Sequence, residues 1–428
     1  MSNHSTGIFL RPAAIRRIVI GLILVSVVLP VLVAAEEGLN TLQNAIDKAQ
    51  PGARLVLDAG VYRGSVSIDK PLILEGGEGS IIDGNGSGRV ITVNAANVEI
   101  RGLTIRNSGD SLATEDSGIF VTEAAENALI ELNHLEGNLI GVYLKGPVNA
   151  RVRKNTIYGS RNRHMNERGN GVHIWNSPGA IVEDNRLRYG RDGIFVTSSR
   201  NNIFRNNHFQ DMRFAIHYMY TNHSEVSGNV SIGNHSAFAL MYSDNLQVFG
   251  NSTDAARDRG LFLNFVNYSS FRENTVLGST EKCVFIYNAN FNTFDGNHFE
   301  ACDIGIHFTA GSEKNVISGN SFIDNRTQVK YVGTRYIEWS ANGQGNFWSD
   351  NLAYDMNNDG IADRPYHPND MVDQIIWRHP LAKLLLNSPA TQLLRWAQSE
   401  FPSLYPGGVT DSAPLMDSPT MTLSQYEK

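Results

Sequence analysis

Asparagine returns through the middle of this chain at nearly constant intervals. Asn133, Asn155, Asn185, Asn207, Asn229, Asn251, Asn274, Asn297, Asn320 and Asn346 are separated by 22, 30, 22, 22, 22, 23, 23, 23 and 26 residues. A fixed period in this range marks a repeat architecture. Three residues before each of the first nine stands an apolar or aromatic residue: Ile130, Val152, Val182, Phe204, Val226, Val248, Phe271, Phe294 and Ile317. Further along most units comes a Gly-apolar-x-apolar beat, as in Gly141-Val142-Tyr143-Leu144, Gly171-Val172-His173-Ile174 and Gly193-Ile194-Phe195-Val196. Short alternating stretches separated by Gly, Asn, Asp and Ser are strand-and-turn chemistry. A helical repeat would need apolar spacings of three and four, which these units lack. The pattern therefore predicts an all-β chain, a right-handed parallel β-helix with one coil of about 22 residues per repeat. The asparagines are expected at corners, where this residue tolerates left-handed backbone and its amide can bond its counterpart one coil away.

The flanks divide the chain into three parts. Residues 1–35 read as a secretory signal: Arg11, Arg16 and Arg17, an apolar run, then Val33-Ala34-Ala35 before Glu36, with cleavage expected after Ala35. That places the mature chain in a bacterial periplasm. Residues 36–350 form the β-helix, opened by an amphipathic helix over 39–49 that covers the exposed end of the first coil. One unit, between Asn155 and Gly171, is too long, and its excess carries His164 and Met165. Insertions in a solenoid become loops on one face. Residues 351–428 hold an Asp-rich loop, an amphipathic helix over 380–399 and a Pro/Ser-rich tail expected to be disordered. With 36 Lys and Arg against 43 Asp and Glu, no basic patch suggests nucleic acid. Cys283 and Cys302 fall in successive coils at different beats, which permits a bridge without requiring one.

Chemistry is sought on the outward positions of the Gly-apolar-x-apolar-x beat, because side chains alternate along a strand. The first outward column reads Tyr143, His173, Phe195, His217, Ala239, Phe262, Phe285, His307. The second reads Lys145, Trp175, Thr197, Met219, Met241, Asn264, Tyr287, Thr309. Coils stack roughly 4.8 Å apart, so His217, Met219 and Met241 become neighbours, with His173 two coils away. Such a face on a solvated sheet needs a reason. It can pack against loops or another chain, stack on sugars through Trp175, Phe195 and Phe262, or bind a soft metal. Thioether with imidazole suits Cu(I), whereas calcium would want oxygens. These two columns contain no carboxylate, and Asp192, Asp211 and Asp258 read as corner residues, so no hydrolase pair is expected. Separately, Asp355, Asn357, Asp359 and Asp363 around Gly360 have the spacing of the first half of a calcium loop, although Tyr366 stands where the closing glutamate belongs.

The Leu42-Gln43-Asn44-Ala45-Ile46 and Pro51-Gly52 segments, the asparagine-punctuated coils, Gly345-Asn346-Phe347-Trp348-Ser349-Asp350 and Asp359-Gly360-Ile361-Ala362-Asp363-Arg364-Pro365-Tyr366 together resemble the NosD family. These are periplasmic accessory proteins of nitrous-oxide reductase maturation. The resemblance covers nearly the whole chain and implies a non-enzymatic role. Partners would be an ABC transporter (a membrane permease with its cytoplasmic ATPase), a copper-carrying lipoprotein and the reductase. The protein would sit at the inner membrane through the transporter and hand on Cu(I). His173, His217, Met219 and Met241 are the copper candidates on stacking grounds. The alternatives are a polysaccharide-binding or -modifying β-helix and a metal-free docking scaffold.

Overall fold

The computed structural model describes residues 30–34, 41–161, 164–278, 281–333, 335–386, 388–401 and 407–419. The chain winds as a right-handed parallel β-solenoid of about 13 turns, whose three parallel sheets, in chain order, have 13, 13 and 12 strands. The coil of Asn207 is typical: Ile203–Arg205 joins the first sheet, His208–Gln210 the second and Phe214–Asn222 the third. Equivalent residues pair without slippage. Ile130 lies beside Val152, then Val182, Phe204, Val226, Val248, Phe271, Phe294 and Ile317. All nine are buried. Phe271 and Phe294 stack at 4.7 Å between centroids, so the column is a continuous apolar seam.

The asparagines form the expected ladder, but for only one of the two expected reasons. Left-handed backbone belongs to the residue before each of the first nine, for example Leu132, Lys154, Asp184 and Gly228. Asn229 itself is fully buried. Its Nδ2 donates to Phe204 O at 2.8 Å and to Asn251 Oδ1 at 3.0 Å. Its Oδ1 accepts from the backbone N and the Nδ2 of Asn207, both at 3.0 Å. Asparagine is needed here for a donor and an acceptor on one short side chain, which lets each rung satisfy the next.

Both ends are closed by chain segments. Helix α1 (Thr41–Lys48) buries Leu42 and Ile46 over the first coil, as expected. Val31–Val33 adds a parallel strand beside Ala53–Leu57, and Val33 O accepts from Tyr62 Oη at 2.7 Å. Cleavage after Ala35 would remove that strand. The remainder of the expected leader and Ala35 itself lie outside the described residues. Among the described residues no helix is long and apolar enough to cross a membrane.

The expected helix over 380–399 is instead part of a three-piece set: α2 (Met371–Arg378), a 3-10 turn Pro380–Leu385 and α3 (Pro389–Glu400). The tail also departs from expectation. Gly408–Thr410 pairs with Tyr336–Glu338, and Asp411 is fully buried. Asp411 Oδ2 accepts from Asn346 N at 2.7 Å and Trp348 Nε1 at 2.8 Å. The last rung has no following coil, and this carboxylate takes the place of the missing asparagine. Residues 402–406 and 420–428 of the tail lie outside the described residues. Cys283 and Cys302 are joined in a disulfide with Cα atoms 5.7 Å apart.

Candidate functional site

The third sheet positions the candidate residues. Its four central strands, Asp192–Arg200, Phe214–Asn222, Ser236–Asp244 and Arg259–Asn267, are nine residues long. They pair in register along the two outward columns: Phe195 to His217 to Ala239, and Thr197 to Met219 to Met241 to Asn264. Met219 and Met241 are therefore direct cross-strand neighbours, both half-buried. His217 precedes Met219 by two residues, which places it on the same face.

His217 is held from behind. Its Nδ1 lies 3.2 Å from Asp192 Oδ2, and a carboxylate can only accept, so Nδ1 is the donor and, in the neutral ring, Nε2 is the nitrogen left to bind a metal. Arg213 grips the same carboxylate with Nε at 2.9 Å and Nη2 at 2.7 Å. Although Asp192 is fully buried, which would raise its pKa, the bonds from His217 and Arg213 outweigh burial and hold it below its ordinary value. Asp192 was expected as a corner residue. It stands before Gly193, one outward position upstream of the two columns, and it supports the site from there. Asp211 and Asp258 stay at the turns, paired with Arg188 at 3.2 Å and Arg259 at 3.4 Å.

His173 occupies a different setting. It stacks on Tyr143 at 4.2 Å and meets the edge of Phe195 at 5.0 Å, and Phe195 in turn contacts His217 at 5.0 Å. Phe195 thus stands between the two histidines, whose strands are about 10 Å apart. Burial, reinforced by Arg191, pushes His173 down to about 4, and its buried Nδ1 has no hydrogen-bond partner among the described residues. Tyr143 is pushed up to about 12 by burial and by Glu115. Glu115, from a loop over this end of the face, also binds Lys145 at 2.6 Å and Arg89 at 3.0 Å.

Sequence reasoning passed over a third outward series. Tyr220, Tyr242 and Phe265 recur at 22 and 23 residues, each on left-handed backbone just past the Met219, Met241 and Asn264 column. Their rings stack at 5.1 and 5.2 Å. Stacked in this way they use their faces on one another and turn edges to solvent, unlike a sugar platform. Phe195 and Phe262 are likewise occupied, Phe262 by Phe285 at 5.4 Å and by Arg259. Trp175 remains exposed. The His164–Met165 insertion folds back through Arg168, whose Nη1 donates to Tyr189 O at 3.4 Å.

In the Asp-rich loop, side-chain oxygens are engaged by backbone amides. Asp355 accepts from Asn358 N at 2.6 Å and Gly360 N at 2.8 Å, Asn357 from Asp359 N at 3.0 Å, Asp359 from Ile361 N at 2.9 Å, and Asp363 from Met356 N at 2.8 Å. Among the described residues no three His, Cys, Asp or Glu side chains converge into a metal-holding group.

The fold and this face define a parallel β-helix protein with a soft-donor surface of thioethers and imidazole. Comparison with known proteins agrees in fold. The model of a family described as "Periplasmic copper-binding protein (NosD)" matches residues 148–353. A "Probable ABC transporter binding protein NosD" of Stutzerimonas stutzeri is 38% identical over 381 residues, covering 86% of this chain and 87% of that protein. Its namesake in Pseudomonas aeruginosa is 40% identical over 385 residues, covering 87% and 90%. The chain belongs to the NosD family. Among solved structures, the surface adhesin PfbA of Streptococcus pneumoniae aligns with TM-score 0.55 at 12% identity, over 71% of this chain and 90% of that one. Gene product 12 of bacteriophage phi29 aligns with TM-score 0.53 at 11% identity, over 66% and 50%. These two share the fold alone.

Proposed function

We propose that this chain is a non-enzymatic periplasmic accessory protein that holds Cu(I) transiently and passes it to the copper centres of nitrous-oxide reductase. It works beside an ABC transporter at the inner membrane, a permease with its cytoplasmic ATPase, and receives copper from a lipoprotein carrier. The family description and the relatives' names support the copper and transporter parts of this reading. The observation that carries it is the register pairing of Met219 with Met241, with His217 on the same face and its Nδ1 committed to Asp192. Two thioethers and one imidazole Nε2 are the soft, uncharged donors Cu(I) prefers. A carboxylate behind the imidazole fixes its tautomer and raises its basicity, the usual support of a ligating histidine. His173 lies beyond Phe195 and serves as a separate donor along the transfer path rather than a fourth ligand to the same ion.

The test is anaerobic Cu(I) titration of the processed protein against a competing chelator, paired with reductase loading. Met219→Leu with Met241→Leu keeps size and apolarity and should leave the melting curve unchanged. Binding should weaken at least tenfold and loading should fall. Unchanged binding and loading in the double variant would remove the methionines from the pathway.

A further inference from the structure

Past the methionine pair the same face changes character. The strands Arg259–Asn267, Lys282–Tyr287, Ile304–Thr309 and Val329–Val332 follow one another in the sheet and contain Arg259, Lys282, His307 and Lys330 but no Asp or Glu. Arg259 and Lys282 lie directly opposite in register, as do His307 and Lys330. Like charges facing each other across strands repel. The Arg259 guanidinium is 4.6 Å from the Phe262 centroid and 5.3 Å from that of Phe285, and Lys282 Nζ is 5.7 Å from the same Phe285 ring. Phe285 contacts His307 at 4.8 Å. Two cations thus share one ring.

The acids that answer them come from the turns: Asp258 reaches Arg259 at 3.4 Å and Glu281 reaches Lys282 at 2.7 Å. No ion pair joins half-buried Lys330 to a carboxylate among the described residues. The resulting field is positive. Burial first, then Lys330, Lys282 and Arg259, push His307 down to about 4. Lys330 itself is lowered by burial, Lys282 and Lys383. On the opposite half of the face Lys145 and Arg89 share Glu115, and Arg213 pairs with Asp192. With three cations against two carboxylates, this patch keeps a positive surplus in a chain of net charge −7, which an anionic partner would complement.

We propose that Arg259, Lys282 and Lys330, interleaved with Phe262 and Phe285, dock an extended acidic segment of a protein partner. The three cations span three strand spacings, about 14 Å, too wide for one oxyanion but suited to several carboxylates along a peptide. The rings between them offer apolar contact that a small anion cannot use. The patch continues through Asn264, the register neighbour of Met241, so a segment seated there brings its carrier to the methionine pair. The docking does not depend on the copper reading.

The experiment measures fluorescence anisotropy of a dye-labelled peptide alternating glutamate with phenylalanine, against the full processed protein at low salt. Binding is expected, weakened about tenfold in the Arg259→Gln, Lys282→Gln, Lys330→Gln triple variant and unaffected by Lys145→Gln. The single Lys330→Gln variant, with a native melting curve, should show a smaller loss in the same direction. Cu(I) affinity should be retained in both, which separates this surface from the methionine pair. No peptide binding, or equal binding by the triple variant, overturns the proposal. Saturable binding of inorganic phosphate at these residues without peptide binding also overturns it and makes the patch a small-anion site.

Discussion

The side chain of Asn229 makes four hydrogen bonds inside the protein and the residue is fully buried. Asn229→Ala strands several partners at once, at a cost of about 1–3 kcal/mol for each group left unsatisfied. The expected loss is about 3 kcal/mol or more, read as a lower urea midpoint; a loss below about 0.5 kcal/mol would mean water replaces the rung. The shared face of Met219, Met241 and His217 was legible because the two methionines are one coil apart and His217 precedes Met219 by two residues. Asp192 was not, because reading outward positions only after each glycine excludes the residue before it. Its role gives a second expectation: Asp192→Asn, which keeps size but frees the tautomer of His217, should weaken Cu(I) binding about tenfold to a hundredfold. His307 gives a third. Burial first, then Lys330, Lys282 and Arg259, hold its folded pKa at about 4, below the ordinary 6.5. The neutral ring is the form the fold favours, so its contribution is full above pH 6.5 and is lost as pH falls towards 4. Urea midpoints at pH 7 and pH 4.5 should therefore drop less in His307→Gln than in the unaltered protein.

At the level of elements, strand positions were readable from alternation, and the cap helix from the spacing of Leu42 and Ile46. The C-terminal segment was less readable. Its composition argues for disorder, but the decisive fact is a need elsewhere: Asn346 lacks a next coil, and Asp411 supplies the acceptor. A one-residue demand 65 residues away leaves no local pattern. The same holds for Cys283 and Cys302, at different beats yet 5.7 Å apart at Cα, because one begins a strand of the third sheet and the other follows a strand of the second. This bridge closes a loop with a sequence separation of 19 residues, for which loop entropy suggests about 3 kcal/mol. Reductant, or Cys283→Ser with Cys302→Ser, should lower the melting temperature by several degrees without altering Cu(I) affinity. An affinity change would tie the bridge to the site.

The whole molecule is a column of stacked coils whose outward side chains change in character along its length. Each coil contacts only its neighbours, so the outer face of the third sheet is a ruler along which different chemistries occupy different coils. Glu115 and its cations close one end, the imidazole and thioethers occupy the middle, and the basic patch follows. The period that made the fold legible also made this face legible, since one column in register fixes every other. Partners remain outside what a period can encode, because docking depends on charge and shape summed over coils. In the proposed function, sulfur at the middle of that face holds Cu(I). X-ray absorption at the copper edge on anaerobically loaded protein measures this directly. Sulfur scatterers with an imidazole nitrogen are expected, the sulfur disappearing in the Met219→Leu, Met241→Leu double variant. A first shell of nitrogen and oxygen alone, or sulfur unchanged in that variant, would contradict it.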